Sequence, residues 1–102
     1  MREVFVDTSA WCAIGDSGDR HHSAALAAQE AFIGQTSLVV TNYILDELYT
    51  LLLMNIGYDG TVEFKNNLDL LARSGIVNVI WISPDIADEA WNVFKQFNAD
   101  KT

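Results

Sequence analysis

One acidic residue lies where an open parallel sheet places reactive groups. Asp7 directly follows the short apolar run at 4–6, and ligands of such sheets bind beyond the carboxyl ends of the strands. The hydroxyl-bearing residues Thr8 and Ser9 come next. Two interpretations of Asp7 are open: it caps a short helix that covers 10–14, or it binds a ligand at the end of the strand.

Glu47 is the second acid that could act at the same place. In a helix that begins at Tyr43, Glu47 lies about 100° around the axis from Asp46. Its own neighbours on that helix are mostly apolar: Tyr43, Ile44, Thr50 and Leu51. We therefore expect a partly desolvated carboxylate, which requires a partner, and no Lys or Arg occurs between Arg20 and Lys65. Either a divalent metal ion supplies the missing charge, or Glu47 reaches water at the rim of the helix.

Two facing carboxylates predict a particular kind of metal site. Mg²⁺ and Mn²⁺ prefer oxygen ligands and retain several water molecules. Such an ion polarises a phosphoryl oxygen and activates water for in-line attack. We therefore predict that Asp7 and Glu47 are metal ligands, although metal nucleases usually have three or four acids around the ion.

Alternating strands and helices must position these two acids. Short apolar runs predict three strands buried on both faces, at 4–6, 38–40 and 76–82. Longer amphipathic patterns separate them. This alternation is typical of an α/β domain with a parallel sheet, and 102 residues leave room for one hydrophobic core only.

Capping residues predict where the longer helices begin. The helices are expected at 20–33, 43–56, 59–73 and from residue 84 onward. Asp19 is the expected N-cap of the first helix, and Thr41 or Asn42 that of the second. Ser83, followed by proline at the first helical position, caps the last. The last helix carries an apolar stripe that we assign to the core: Ile86, Ala90, Trp91, Phe94 and Phe97.

The charge balance limits the possible partners. Fourteen acids against six bases give a net charge of −8, which excludes broad, sequence-independent coating of duplex nucleic acid. A small acidic site that holds metal ions and acts on phosphates remains compatible with this charge. The single cysteine, Cys12, cannot form an intramolecular disulfide, and neither a secretory signal nor a membrane span is expected. We therefore expect a cytoplasmic protein without membrane association.

The remaining residues that could do chemistry have simpler interpretations. His21 and His22 are expected to be loop or capping residues, and Cys12 a small core hydrophobe. Asn42, Asp46 and Thr50 are expected to form one polar stripe of the second predicted helix, on which Asp46 is solvated.

Two segments together resemble the PIN domain family and, within it, the VapC-like toxins of toxin–antitoxin modules. Segment 4–10 is similar to the opening strand of the family with its acid and hydroxyl pair. Segment 41–48 is similar to the helix that bears the second acid, which falls on Glu47 and not on Asp46. His22 lies where many members have a histidine, for a structural role. The resemblance covers essentially the whole chain and implies a three-layer α/β/α fold with a short parallel sheet.

This resemblance implies a Mg²⁺- or Mn²⁺-dependent endoribonuclease that cuts single-stranded RNA or exposed RNA loops. Asp7 and Glu47 would bind the metal, and Thr8 or Ser9 would support them. The family also implies a cognate antitoxin as partner and a homodimer, for which the apolar segment 51–54 could provide a surface.

The chain departs from the family pattern near its end. The family has a third and often a fourth acid after the helix that ends near Phe97, and Asp100 should not be taken for it. We therefore expect a single domain over 1–102 that lacks the final helix and strands of the family. The strand at 4–6 would then form an exposed apolar edge, and the chain would cleave RNA poorly.

Besides the ribonuclease, other classes of function have recognisable sequence requirements. A shortened, non-catalytic PIN homologue that binds an antitoxin or another partner is the alternative. Haloacid-dehalogenase-like enzymes need a second Asp at the position of Ser9, and receiver domains need an acidic pair after the first strand. Neither feature occurs here.

Overall fold

The computed structural model describes residues 2–101, and the two end residues of the predicted domain lie outside this range. The strands are β1 (Arg2–Phe5), β2 (Thr36–Thr41) and β3 (Val77–Ile80). The helices are α1 (Thr8–Gly15), α2 (His22–Phe32), α3 (Asn42–Arg73) and α4 (Pro84–Asn98). This arrangement confirms the α/β class and the short parallel sheet.

The sheet has the strand order β1-β2-β3 within the described residues, with Val4 beside Leu38 and Leu38 beside Val77. Burial on both faces is correct for β2, in which Leu38, Val39 and Val40 are all buried. It is wrong for β1, in which Phe5 is 57% exposed, and for β3, in which Asn78 and Ile80 are exposed. Within residues 2–101, β1 is an edge strand with one neighbour, so Phe5 remains in solvent.

Helix α1 packs against α2 and α3, and α2 and α3 pack against the sheet. Parallel β–α–β connections are right-handed, and the strands succeed one another in one direction, so we place these helices on one face. Trp11 of α1 is 1% exposed and meets the ring of Phe64 edge-on, with centroids 6.4 Å apart. The buried cluster between helices and sheet comprises Val6, Trp11, Leu38, Val40, Leu45, Leu48, Leu52, Leu68 and Val77.

Helix α3 combines the two helices expected at 43–56 and 59–73. Gly57 interrupts it with φ 83° and ψ −179°, a backbone conformation that glycine adopts without the cost of a Cβ clash. Of the two expected caps, Thr41 is the N-cap, and its hydroxyl accepts a hydrogen bond from Ile44 N at 3.3 Å. The expected break between the two helices is therefore correct, and it takes the form of a kink at Gly57 within one long helix.

Helix α2 begins two residues later than expected. His21 occupies the N-cap position without a side-chain capping bond. Asp19, the expected cap, instead accepts a hydrogen bond from His21 N at 2.8 Å. Asp side chains commonly bond the backbone two residues on, and this turn delays the start of the helix.

Helix α4 begins as expected but packs differently. Ser83 accepts a hydrogen bond from Ile86 N at 3.3 Å, and Pro84 is the first residue of the helix. Within residues 2–101, α4 packs against no other helix or strand. The expected core assignment of its apolar stripe is therefore wrong, and Trp91, stacked on Phe94, is 57% exposed. A second helical layer over the sheet is not assembled in this part of the chain.

A helix that spans a membrane must be both long and apolar. None of the helices formed by residues 2–101 combines enough length with enough hydropathy to cross a bilayer.

Candidate metal centre

Asp7 and Glu47 line one open cavity of about 630 Å³. Asp7 follows β1 and begins α1, and Glu47 lies in the second turn of α3, which follows β2. Because β1 and β2 are neighbouring parallel strands, their carboxyl ends meet at one edge of the sheet. Thr8 and Ser9 border the same cavity. The structure thus brings all four predicted site residues together.

Asp7 is the N-cap of α1. One of its carboxylate oxygens, Oδ1, accepts a hydrogen bond from Ala10 N at 2.9 Å. Within residues 2–101, Oδ2 accepts no hydrogen bond from the protein. The two interpretations of Asp7 are therefore compatible, because one oxygen fixes the side chain and the other is free to bind a ligand.

Glu47 is exposed, so the expectation of a desolvated carboxylate is wrong. Its helix face opens onto the cavity instead of packing against apolar side chains. The one ion pair in the described part of the chain joins Lys65 and Asp69 at 2.7 Å. Neither Asp7 nor Glu47 is therefore neutralised by a cation of the described chain, and the metal hypothesis now depends on their convergence.

Three further residues with ionisable side chains line the cavity, and none of them was expected in the site. These residues are Cys12, Asp19 and His21. Burial raises the pKa of the Cys12 thiol, and the negative charges of Asp19, Asp16 and Glu47 raise it further. Cys12 packs against the buried core cluster, as expected, and also borders the negatively charged cavity. The position of Asp16 and Asp19 just after α1 in the sequence could have indicated that acidic side chains lie near Cys12.

His22 has the structural role that the resemblance implied. Its Nδ1 lies 2.7 Å from the carbonyl oxygen of Ala13. This contact joins the start of α2 to α1, whose first turn carries Asp7 as its cap. His22 therefore holds two elements of the site together and does not line the cavity.

The donors present fit a hydrated Mg²⁺ or Mn²⁺ ion. Mg²⁺ is commonly held by one or two carboxylates while it keeps several of its waters. Residues 2–101 contain no group of three or more His, Cys, Asp or Glu side chains arranged to hold a metal. Asp7 and Glu47 thus offer two anchoring carboxylates, and water would complete the coordination.

Comparison with known proteins identifies the family of the chain. The family model described as PIN domain matches residues 4–101. The chain is 32% identical over 89 residues to the 23S rRNA-specific endonuclease VapC20 of Mycobacterium tuberculosis, in strains CDC 1551 / Oshkosh and ATCC 25618 / H37Rv. This match covers 86% of the chain, which spans 63% of the length of these relatives.

A solved structure is similar as well. The crystal structure of Mycobacterium tuberculosis VapC20, described as a Sarcin-Ricin loop cleaving toxin, matches with a TM-score of 0.71 and 26% sequence identity. The match covers 96% of this chain and 71% of the solved one. The fold, the order of the two acid-bearing segments and the extent of the family match lead to one conclusion: the chain belongs to the PIN domain family.

Proposed function

We propose that this protein is a VapC-like toxin endoribonuclease of a toxin–antitoxin module, which hydrolyses RNA phosphodiester bonds with Mg²⁺ or Mn²⁺. The observation that carries the proposal is the convergence of Asp7 and Glu47 on one cavity without a protein cation between them. The similarity to VapC20, an endonuclease specific for 23S rRNA, supports the substrate class.

Each proposed residue has a separate task. When bound, a divalent cation would polarise a phosphoryl oxygen and promote ionisation of a water molecule. Asp7 and Glu47 hold that cation, and the hydrogen bond from Ala10 N keeps Asp7 in one orientation. Thr8 and Ser9 border the cavity, and we propose that their hydroxyls donate hydrogen bonds to carboxylate or phosphate oxygens.

The proposed activity implies partners and a location. A toxin of this kind acts on RNA and is held inactive by a cognate antitoxin, and both are found in the cytoplasm. For the homodimer we propose the exposed part of segment 51–54, because Leu53 and Met54 are 51% and 77% exposed while Leu52 is buried. Apolar side chains of this size favour burial against a second surface.

One observation favours the alternative of a partner-binding module without catalysis. Three acids, Asp7, Asp19 and Glu47, border the cavity, but residues 2–101 contain no group of three or more His, Cys, Asp or Glu side chains arranged to hold a metal ion. Fewer acids hold less metal charge at the phosphate and activate water less well. We therefore propose slow cleavage by this chain, with binding of a partner at the same cavity as the second candidate function.

Cleavage of purified 23S rRNA tests the proposal. The full chain should cut the RNA slowly in Mg²⁺ or Mn²⁺ and not in EDTA, and Asp7→Asn or Glu47→Gln should abolish cutting. Asp46→Asn, which changes an exposed acid on the same helix, is the matched control and should cut like the unmodified chain. Absence of cutting by the folded chain in both metals would contradict the proposal and favour the binding module, whereas cutting in EDTA would exclude the metal mechanism.

A further inference from the structure

The loop between α1 and α2 places an arginine–histidine pair at the rim of the cavity. His21 lines the cavity together with Asp7 and Glu47. Arg20 is the preceding residue, and its Nε donates a hydrogen bond to Nε2 of His21 at 3.1 Å. Both side chains are exposed. A guanidinium group therefore lies beside an acidic site. Its hydrogen-bond partner is an imidazole and not a carboxylate.

The hydrogen bond leaves the outer edge of the guanidinium free. Arg has five N–H donors, and the bond to His21 uses the one on Nε. The four donors on the two Nη atoms form the edge that matches two oxygens of a phosphate. Arg20 takes part in no ion pair among residues 2–101.

The other cationic side chains of the described region lie elsewhere. Arg2 begins β1, and Arg73 ends α3 just before β3. Both are therefore at the amino ends of the strands, opposite the cavity. Lys65 forms an ion pair within its own helix. Lys95 lies on α4 and Lys101 follows it, and α4 packs against no other described element.

RNA at this site requires positive charge that the carboxylates do not supply. The chain carries a net charge of −8, so an RNA strand is repelled unless individual phosphates find a donor. Asp7 and Glu47 would hold a metal ion that offsets their own charge at the bond to be cut. A neighbouring phosphate needs a second cationic contact.

We propose that Arg20 binds a phosphate of the RNA next to the one being hydrolysed, through its two Nη atoms. His21 is a positioning residue, because its Nε2 accepts from Nε and orients the free edge. This inference rests on the proposed ribonuclease function. It assigns a substrate contact to the loop at 16–21. Affinity for RNA would then depend on Arg20 as well as on the two metal ligands.

The contact is tested by RNA binding without cleavage. The probe is a 5′-fluorescein-labelled 12-nucleotide single-stranded RNA, followed by fluorescence anisotropy in EDTA. The measurement uses the full chain carrying Asp7→Asn and Glu47→Gln, which cannot cut and repels RNA less. Adding Arg20→Ala should weaken binding roughly ten-fold at low salt, the range expected for a hydrogen bond to a charged group. It should also reduce the slope of log K against log salt by about 0.7, the value for one phosphate on a single strand.

Arg73→Ala is the matched control, since it removes the same charge at the opposite end of the sheet. It should leave the salt slope unchanged. An Arg20→Ala variant with the affinity and slope of the Arg73→Ala variant would overturn the inference. Absence of measurable RNA binding before Arg20 is changed would overturn it as well.

The role of His21 is tested by rescue. In the otherwise unmodified chain, His21→Ala should raise KM for RNA several-fold with little change in kcat, because the guanidinium loses its orientation and not its charge. His21→Gln should restore KM, since the Gln amide oxygen can accept from Nε. Equal KM values for the two variants would contradict positioning.

These experiments separate this inference from the proposed function. If the unmodified chain cuts RNA but Arg20→Ala leaves KM and RNA affinity unchanged, the ribonuclease stands and the Arg20 contact is wrong. If the chain fails to cut in Mg²⁺ and Mn²⁺ while Arg20→Ala still reduces RNA affinity and salt slope, the contact stands and hydrolysis is wrong.

Discussion

The side-chain amide of Asn42 binds both backbone groups of Ile82. Its Oδ1 accepts from Ile82 N at 2.8 Å, and its Nδ2 donates to Ile82 O at 3.3 Å. Asn42 is the first residue of α3, and Ile82 lies two residues beyond β3. The amide therefore continues the pairing of β2 with β3 after the last paired residues, Thr41 and Ile80, and fixes the start of the helix that carries Glu47.

We predict that Asn42→Ala destabilises the protein by about 1–3 kcal/mol, because two half-buried backbone groups lose their partner. Asn42→Asp should be destabilising too, since a carboxylate retains the acceptor and loses the donor. Urea unfolding followed by circular dichroism measures the free energy of unfolding. Asn55→Ala, at an exposed position of α3, is the control. A loss no larger than that of Asn55→Ala would show that the paired hydrogen bonds contribute little.

Asp7 has two roles that different substitutions separate. Asn caps a helix about as well as Asp, so Asp7→Asn should leave stability nearly unchanged while it removes the charge needed by a metal ion. Asp7→Ala should lose the cap as well and cost about 0.5–2 kcal/mol. Thermal unfolding compares the two variants with the unmodified chain. Equal stability of the two variants would argue against the capping bond to Ala10 N.

The reactivity of Cys12 reports the negative charge of the cavity. Because Glu47 is one of the charges that raise the pKa of the Cys12 thiol, Glu47→Gln should lower that pKa. The thiol should then react faster with iodoacetamide near pH 8, where more thiolate is present. Glu63→Gln changes an exposed acid that lies beyond the Gly57 kink and outside this cavity, and should leave the rate unchanged. If the Glu47→Gln and Glu63→Gln variants react with iodoacetamide at the same rate, Glu47 lies too far from the Cys12 thiol to affect its pKa.

Tyr49 makes stability fall at high pH. Burial, together with the charges of Asp69 and Asp46, raises the pKa of Tyr49 to about 12 from its ordinary value of 10.0. Between these two values the unfolded chain loses the phenolic proton and the folded chain keeps it. Stability is therefore complete below pH 10 and falls as the pH rises toward 12.

Replacing the phenol isolates this effect. We expect Tyr49→Phe to lose less stability between pH 10 and pH 12 than the unmodified chain does, in urea unfolding at each pH. Tyr58→Phe, at a residue that is 71% exposed, is the control and should follow the unmodified chain. In absorbance at 295 nm, the difference between the unmodified and Tyr49→Phe proteins should titrate near pH 12. A difference that titrates near pH 10 would contradict the shift.

The sequence was sufficient for elements whose signals are local. The cap at Thr41 and the Ser83-Pro84 start depend on residues within one turn, and alternation of apolar runs with amphipathic stretches indicated the parallel sheet. The convergence of Asp7 and Glu47 could also be anticipated, because the carboxyl ends of adjacent parallel strands share an edge.

Features that depend on distant partners could not be predicted in the same way. The apolar stripe of α4 predicts burial, but spacing alone does not say what covers a helix, and no described element covers α4. The exposure of Glu47 depends on an open cavity and not on its apolar neighbours in sequence. The bond between Asn42 and Ile82 joins residues forty positions apart. The sequence shows that Arg20 and His21 are adjacent, but it does not show that their loop lies beside Asp7 and Glu47.

Mn²⁺ binding measured by titration calorimetry tests the central claim most directly, with the unmodified chain, Asp7→Asn, Glu47→Gln and the double variant. If one ion is shared by both carboxylates, each single substitution should weaken binding about as much as the double substitution does, because losing either ligand removes the shared site. Asp46→Asn should bind like the unmodified chain. Unchanged affinity in the Glu47→Gln variant, or losses that simply add in the double variant, would contradict a metal site shared by Asp7 and Glu47.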